Sequence, residues 1–371
     1  MNIPKIQILP SMELKRTISA SFLLLALISP AKSQKDPDQV QPAHKKSRES
    51  LELFESNDIL NITVRFDLST FLKKNLKGKF IDGTLAIYTG KNDSIVRDIW
   101  VTTRGIFRLQ YCGFPPMEIV FKKPFYGNHY STTIHKIKLA TRCQVSGLFE
   151  EYLMKEYLAY RMYNAITDSS FRVRLVRASY IDNRRYRKPD IQYGFFIEPQ
   201  NLMASRLNSS VLKNIDITQR NISPPVMNRV AVFNYMIGNY DWAVPNQHNI
   251  SILSSKDSTI NQLPIAVPHD FDWTGLVNPM YAIPEESAGV KSVKERLYLG
   301  MCQKKEVFRY ELRKFIPYKQ KFYSIINEFP YLSRKAKDDM INYLDEFYQQ
   351  VEDPRRIDFL IDNIISTCKY I

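Results

Sequence analysis

The sequence predicts an α+β fold in which a strand-rich amino-terminal part precedes a larger, mainly helical carboxy-terminal part. Short runs between residues 60 and 140 alternate apolar and polar side chains, as half-buried strands do. Beyond residue 200, longer runs have apolar residues at helical spacing. The roughly 310 residues after about residue 57 suit one large domain or two closely packed lobes, and no internal repeat is visible.

The first part of the chain is predicted to lie outside this fold. Lys15 and Arg16 precede a mostly apolar, uncharged run that ends in Ala31-Lys32-Ser33. This order is typical of a cleaved signal peptide, which we place at residues 1–33. The apolar run is shorter than the roughly 18 residues of a membrane span, so we expect no stable span after cleavage; an uncleaved anchor is the alternative. Residues 34–57 are polar and are interpreted as a flexible linker.

Export would place the protein in the periplasm, at the cell surface or outside the cell, where disulfides persist. The four cysteines are an even set that allows three pairings. Pairing Cys112 with Cys143 and Cys302 with Cys368 keeps each bridge inside one predicted part of the fold. Free buried thiols are the alternative. The sequence has no C-x-x-C pair, which argues against a thiolate metal site.

The formal net charge of +14 predicts a basic protein that attracts phosphates, anionic lipids or acidic polymers. Charge alone does not choose among these partners. No nucleic-acid-binding motif accompanies it, so we expect no nucleic-acid partner.

Residues 58–199 are predicted to form a small β-rich region with one main helix. Residues 148–163 contain no helix breaker and place Leu153 and Tyr157 at helical spacing, which predicts a helix of about four turns. Pro199 is a suitable boundary because proline ends a strand ladder. The predicted strands are 60–66, 83–88, 99–104, 117–122, 135–139, 172–178 and 192–198.

Residues 200–371 are predicted to be mainly helical. Pro224-Pro225 marks the start of an apolar helix that continues over 226–237. From residue 293 onward, several further helices with polar connections would bury the back of this part.

The stretch that follows the 226–237 helix carries the candidate catalytic residues. Asp241 lies in a loop, Asn249 comes directly before an apolar strand, and a second short strand leads to Asp270 and Asp272. Phosphoryl transfer needs a carboxylate to orient or accept the proton of a hydroxyl, and oxygen ligands for the metal ions that bridge the phosphates. Carboxylate and amide oxygens are what Mg²⁺ prefers. We therefore predict Asp241 as the base, Asn249 and Asp270 as metal ligands, and Asp272 as a second carboxylate ligand.

Two other interpretations of this stretch stay open. The acid and amide residues could make local turns and nothing else. His248 and His269 beside the carboxylates suggest a metal-dependent hydrolase, although the H-E-x-x-H zinc motif is absent.

The order of these motifs resembles the spore-coat protein H (CotH) group of atypical protein-kinase-like enzymes. That group has an N-x-D segment, then H-N before a strand, then a D-F-D or D-x-D turn. The resemblance covers roughly residues 85 to 300. In this sequence it is carried by Asn239-Tyr240-Asp241, His248-Asn249, Asp270-Phe271-Asp272, Arg104-Gly105, Ile137-Lys138-Leu139 and Tyr193-Gly194-Phe195-Phe196-Ile197-Glu198.

The resemblance implies a two-lobed protein-kinase-like fold, with a small β-rich N-lobe at 58–199 and a larger helical C-lobe at 200–371. It implies that Lys138 contacts the nucleotide phosphates and is held by Glu156 from the next helix, with Glu151 as the fallback. The same resemblance implies two further binding residues. Arg104 would contact phosphate through its fixed fork or pair with an internal carboxylate, and the strand ending at Glu198 would lead to the adenine-binding lobe connection.

The implied activity is that of an exported atypical kinase that transfers the γ-phosphoryl group of ATP to a protein or small-molecule hydroxyl. Mg²⁺ or Mn²⁺ would be its metal. A glycine-rich phosphate loop is missing from the sequence, and ATP is scarce outside the cytoplasm. A catalytically inactive kinase-like binding module, in the periplasm or at the cell surface, is therefore the alternative.

Overall fold

The computed structural model of the chain contains a closed barrel built from its amino-terminal strands. The structure describes residues 53–368 except positions 74, 75, 77, 91, 92, 128–131, 214, 258, 260, 261, 285, 287 and 288. The predicted signal peptide and the linker up to residue 52 lie outside the described residues. The barrel strands are β1 (Leu60–Phe66), β2 (Ile81–Tyr88), β3 (Ser94–Thr103), β4 (Met117–Gly127), β5 (Thr132–Thr141), β6 (Val173–Asp182) and β7 (Asp190–Ile197).

Strand β1 closes the barrel, because it pairs antiparallel with β2 on one side and parallel with β6 on the other. The order around the barrel is β1-β2-β3-β4-β5-β7-β6. The predicted two-lobed protein-kinase-like fold is therefore wrong: a closed seven-stranded barrel stands where a small N-lobe sheet was expected. Closure pairs both sides of every strand, which removes the exposed edges of an open sheet.

The seven predicted strands are all confirmed, and their alternating apolar residues fill the barrel. Ile62, Val64 and Phe66 of β1 are buried in one apolar cluster with inward residues of the other strands. Leu53 and Phe54, at the end of the predicted linker, are buried in the same cluster. The apolar positions of the sequence thus predict which face of each strand points inward.

The predicted main helix is confirmed as α3 (Gly147–Ile166), which connects β5 to β6. Ser146 caps it by accepting a hydrogen bond from the backbone N–H of Leu148. The helix is buried on most of its faces, and Tyr157, Tyr160 and Tyr163 belong to the main apolar core shared with the carboxy-terminal helices. This burial fixes α3 between the barrel and the helical part.

The carboxy-terminal part consists of helices around a small three-stranded sheet with the order β10-β9-β8. The chain also has two short helices near the barrel, α1 (Leu68–Leu72) and α2 (Phe107–Tyr111). Among the described residues, no helix has the length and apolar character needed to span a membrane. The remaining elements are α4 (Gln200–Arg206), β8 (Ser209–Leu212), α5 (Pro224–Ile237), β9 (Ile250–Ser255), β10 (Ile265–Pro268), α6 (Lys305–Arg313), α7 (Lys319–Asn327), α8 (Arg334–Glu352) and α9 (Pro354–Thr367).

Both predicted disulfides are present, Cys112–Cys143 and Cys302–Cys368. The second joins positions 66 residues apart and ties the segment before α6 to the end of α9. We expect C302S/C368S to lower the free energy of unfolding by about 4 kcal/mol, because the unfolded chain regains the entropy of an open loop. Urea unfolding of the oxidised proteins measures this difference. A difference that persists after both proteins are fully reduced would show that the bridge is not its source.

Candidate active site

Two glycines begin and end the stretch that carries the candidate catalytic residues. Gly238 ends α5 in the left-handed conformation, with φ of 66°, and its carbonyl accepts a hydrogen bond from Gly275 N at 3.1 Å. A Cβ at Gly238 would lie 2.1 Å from the Tyr343 hydroxyl, and one at Gly275 would lie 2.3 Å from it. A side chain at either position would clash with Tyr343, so both positions require glycine. Because the two glycines are hydrogen-bonded to each other, the chain leaves the core and returns to it at the same place.

The loop after Gly238 holds Asp241 through amide side chains. Asn239 Oδ1 accepts a hydrogen bond from Asp241 N at 2.9 Å. Asn249 Nδ2 donates to Asp241 Oδ2 at 3.0 Å and to its carbonyl oxygen at 2.8 Å, and His248 Nε2 lies 2.6 Å from Asp241 Oδ1. Both carboxylate oxygens of Asp241 therefore have a fixed direction.

The strand pair β9–β10 brings Asn249 and Asp270 to the same end of the small sheet. His269 N donates to Asn249 O at 2.9 Å, which extends the ladder by one bond beyond the strands. Asn249 and Asp270 then adopt left-handed backbone conformations, with φ of 51° and 64°. Asn and Asp tolerate this conformation better than other residues with side chains. Tyr160 of α3 accepts a hydrogen bond from Asp270 N at 2.8 Å and fixes the second position.

Five of the predicted site residues line one cavity of about 1180 Å³. The cavity lies between the β3–β4 connection, the Asp241 loop and the turn after β10. Lys138, Glu156 and Glu198, also predicted as site residues, do not line it. The five that do are Arg104, Asp241, Asn249, Asp270 and Asp272.

Glu156 pairs with Arg108 of α2, whereas the sequence predicted a pair with Lys138. Arg108 Nη1 lies 3.7 Å from Glu156 Oε2 and 3.8 Å from Asp272 Oδ2, and its Nη2 donates to Thr141 O at 2.8 Å. Burial lowers the pKa of Arg108, but Tyr281, Asp272 and Glu156 outweigh burial and raise it. A permanently charged arginine thus joins two carboxylates at the base of the site.

The two carboxylates joined by Arg108 resist ionisation. Burial, followed by Asp272, raises the pKa of Glu156, and Arg108 opposes this shift. Burial and Asp270 raise the pKa of Asp272 to about 6, against Arg108 and a hydrogen bond from Tyr281. Ionising both of two neighbouring carboxyl groups in a buried place costs free energy, because the charges repel and are poorly solvated.

Asp270 differs from these two, because basic side chains, Arg104 first among them, lie near it. Burial alone would raise the pKa of Asp270, but Arg104, His269, Arg108 and Lys138 outweigh burial and hold it below the usual value. The side chains of Arg104 and Lys138 make no hydrogen bond or ion pair within the described part of the chain. The site therefore combines an ionised carboxylate with Arg104, a cationic group that lines the cavity, and Lys138 adds positive charge near Asp270 from outside the lining.

Glu198 lies away from this cluster. Its carboxylate accepts hydrogen bonds from Arg206 Nε at 3.0 Å and Arg206 Nη2 at 2.9 Å, and from Arg172 N at 3.0 Å. Both side chains of the Glu198–Arg206 pair are almost fully buried. These contacts give Glu198 a structural role next to α4, and the side chain is not directed to the cavity.

A metal ion at this site would depend on few protein ligands. Among the described residues, no three His, Cys, Asp or Glu side chains are grouped to hold a metal. Asn249 Oδ1 has no hydrogen-bond partner in the described chain, because Nδ2 makes the contacts to Asp241. One amide oxygen with one or two carboxylates fits Mg²⁺, which keeps several waters and takes its other ligands from phosphate.

The two histidines of this stretch lie in different surroundings. His248 contacts Asp241, whereas His269 packs edge-on against Phe171 at 5.2 Å between ring centroids. Burial, together with Lys138, lowers the pKa of His269 to about 4, so this ring is neutral at pH 7.

Arg108 is the site residue that sequence reasoning missed. It lies in the β3–β4 connection, where α2 is tied to β5 by the Cys112–Cys143 disulfide, and Cys112 N donates to Arg108 O at 2.9 Å. The one signal in the sequence is an arginine inside the otherwise uncharged run 105–113. The same connection supplies Arg104, so both arginines of the site come from the β3–β4 connection.

Comparisons with known proteins add little to this description. One similar solved structure is that of a Helicobacter pylori proinflammatory kinase, CtkA; the two chains are 12% identical, the match covers 66% of this chain and 95% of that chain, and the TM-score is 0.38. No protein-family model matches the sequence, and no curated protein matches it. A similarity this low assigns neither the fold nor the activity of that kinase to this chain. The resemblance to the CotH group stays a prediction.

Proposed function

We propose that the protein is an exported, metal-dependent phosphotransferase that moves the γ-phosphoryl group of ATP to a hydroxyl of an acceptor. One observation supports this proposal above all others: Asp241 and Asn249, from the loop between α5 and β9, line the same cavity as Asp270, from the turn after β10. Phosphoryl transfer needs this combination of a base and oxygen ligands.

Asp241 is the proposed base. In the reaction the acceptor oxygen forms a bond to the γ-phosphorus while the bond from that phosphorus to the bridging oxygen breaks and ADP leaves. The hydroxyl proton passes to the Asp241 carboxylate. His248 and Asn249 hold this carboxylate in one orientation through contacts of 2.6 and 3.0 Å, which favours a productive approach of the hydroxyl.

Asn249 and Asp270 are the proposed metal ligands, with Asp272 as a second carboxylate. A bound Mg²⁺ or Mn²⁺ would neutralise charge that develops on the phosphate oxygens. Cations around Asp270 keep its carboxylate ionised, which suits a ligand. Arg104 is the proposed phosphate contact, because it lines the cavity and its side chain makes no hydrogen bond or ion pair within the described chain. Lys138 does not line the cavity, and its proposed role is to add positive charge near Asp270.

Export is supported by the two disulfides, because such bonds are rare in the cytosol. The basic, apolar and small-residue order of the first 33 residues supports it as well. The proposed locations are the periplasm, the cell surface and the extracellular space.

Label transfer with γ-³²P-ATP tests the function. The disulfide-bonded protein is incubated with labelled ATP and Mg²⁺ or Mn²⁺, with and without EDTA, and label on protein is counted. We expect transfer in the presence of metal and none in EDTA, because the phosphate oxygens then lack their counter-charge. Metal-dependent binding of ATP without transfer would favour the catalytically inactive binding module. The absence of a glycine-rich loop from the sequence is consistent with that alternative. Absence of both would contradict the proposal.

A further inference from the structure

The two ends of the barrel differ in charge. The strand pairings place the ends of β1, β3, β5 and β6 at one end of the barrel, which we call the basic end. The four connections that leave it contain eleven lysines and arginines against one acidic residue, Asp67. The two strand-to-strand connections at the other end, 89–93 and 128–131, contain one lysine and one aspartate. The connections of the basic end are residues 67–80, 104–116, 142–146 and 183–189.

The connection 183–189 between β6 and β7 carries four of these cations at the surface. Every one of its seven residues is exposed, so the loop projects from the barrel. Arg184 lies 3.9 Å from a carboxylate oxygen, whereas Arg185, Arg187 and Lys188 make no ion pair with any described residue. Three positive charges of this loop are therefore available to an anionic partner.

Each connection of the basic end also exposes one large apolar or aromatic side chain, and we call these four residues the apolar tips. A single exposed apolar residue needs no explanation, but several beside one another mark an interaction surface. Here all four connections from one end of the barrel contribute a tip next to the cations. The apolar tips are Phe80, which is 55% exposed, Ile106 and Val145, which are each 85% exposed, and Tyr186, which is fully exposed.

An anionic membrane surface matches both features of the basic end. Lipid phosphates attract clustered lysines and arginines. The boundary between headgroups and acyl chains accommodates apolar side chains, and tyrosine is enriched there because its ring is apolar and its hydroxyl polar. A nucleic acid or another polyanion would satisfy the cations alone, since binding to phosphates gives Ile106 and Val145 no apolar contact. The net charge by itself does not make this choice; the apolar tips do.

We propose that the basic end docks the protein on an anionic membrane surface, with its lysines and arginines at the lipid phosphates and the apolar tips among the headgroups. This contact is peripheral and needs no membrane-spanning helix. It is independent of the phosphoryl transfer proposed above. Because Ile106 also lines the candidate-site cavity, docking brings that cavity next to the lipid headgroups.

Vesicle flotation with the full-length protein tests the docking. One set of vesicles is phosphatidylcholine alone, and the other contains about 30% phosphatidylglycerol. We expect binding to the anionic vesicles to be at least tenfold tighter, and to weaken as salt is added. R185S/R187S/K188S should weaken it about a hundredfold, and I106S/V145S about tenfold.

Matched control variants make the same changes elsewhere on the surface. R334S/K335S/K337S removes three positive charges from α8, where the side chains of Arg334 and Lys335 are 94% and 85% exposed. Y310S/F359S removes two exposed aromatic side chains from α6 and α9. Both controls should bind anionic vesicles as the wild type does. The apolar run before residue 33 is present in every variant, so differences among them report on the basic end.

Three results would overturn the docking. Equal binding to the two kinds of vesicle would remove the role of lipid charge. Equal losses in R185S/R187S/K188S and in the α8 control would show that net charge, and not the basic end, is responsible. Full binding by I106S/V145S, with a single-stranded oligonucleotide competing for the same cations, would make the surface a site for polyanions. Label transfer enters none of these results, so the docking and the phosphotransferase can fail separately.

Discussion

Asp241→Asn is expected to lower the rate of label transfer by about a thousandfold, the contribution typical of a positioned base. The amide keeps the size of the carboxylate and leaves an oxygen that can accept one hydrogen bond from Asn249 or His248. It cannot take the proton of the acceptor hydroxyl. Nucleotide affinity should change little, because Asp241 is not among the proposed phosphate or metal contacts. Single-turnover label transfer and titration with a fluorescent ATP analogue measure the two effects separately.

The matched control for this variant is Asp338→Asn, which makes the same change on the exposed side of α8. It should transfer label at the wild-type rate. If D241N retains most of the activity, or if it loses ATP binding to the same extent as transfer, Asp241 is not the base and the proposed roles in the cavity must be reassigned.

Arg108→Met is expected to lower the free energy of unfolding by about 3 to 5 kcal/mol, the largest stability effect of any single substitution in the site. Methionine fills much the same volume but leaves Glu156 and Asp272 buried without their shared cation. Urea unfolding at pH 7 measures the loss. A second substitution, Glu156→Gln, should recover part of it, because one of the two stranded carboxylates is then neutral.

Arg184→Met is the control, since this arginine is 75% exposed and pairs with Asp67 at 3.9 Å on the surface. A surface pair of this kind contributes about 0 to 1 kcal/mol, so the change should be small. Equal losses for R108M and R184M, or no recovery with E156Q, would contradict a buried Arg108 that holds two carboxylates.

The candidate site follows from local sequence patterns more closely than the fold does. Asp241, Asn249 and Asp270 each lie at the end of a strand or helix that can be recognised from its apolar residues, and the pairing of β9 with β10 brings two of them together. The left-handed backbone at Asn249 and Asp270 also suits Asn and Asp in particular. Short-range rules therefore suffice for these three positions.

Which strands pair, and whether the barrel closes, depends on contacts between residues that lie far apart in the sequence. Local sequence patterns do not contain this information. Residues 60–66 are recognisable as a strand, but nothing in them shows that β1 pairs with β6, more than 100 residues later. Lys138 and Glu156 have a suitable spacing, yet Arg108 from a short disulfide-tied helix takes the glutamate. Glu198 similarly ends a strand as predicted and pairs with Arg206 instead of a ligand.

A crystal structure of the protein with a non-hydrolysable ATP analogue and Mg²⁺ tests the central proposal most directly. We expect one Mg²⁺ at about 2.1 Å from Asn249 Oδ1 and from an Asp270 carboxylate oxygen, bound to the phosphates, with the γ-phosphate next to Asp241. Triphosphate bound outside this cavity, or bound within it with no cation between Asn249 and Asp270, would contradict the proposed site.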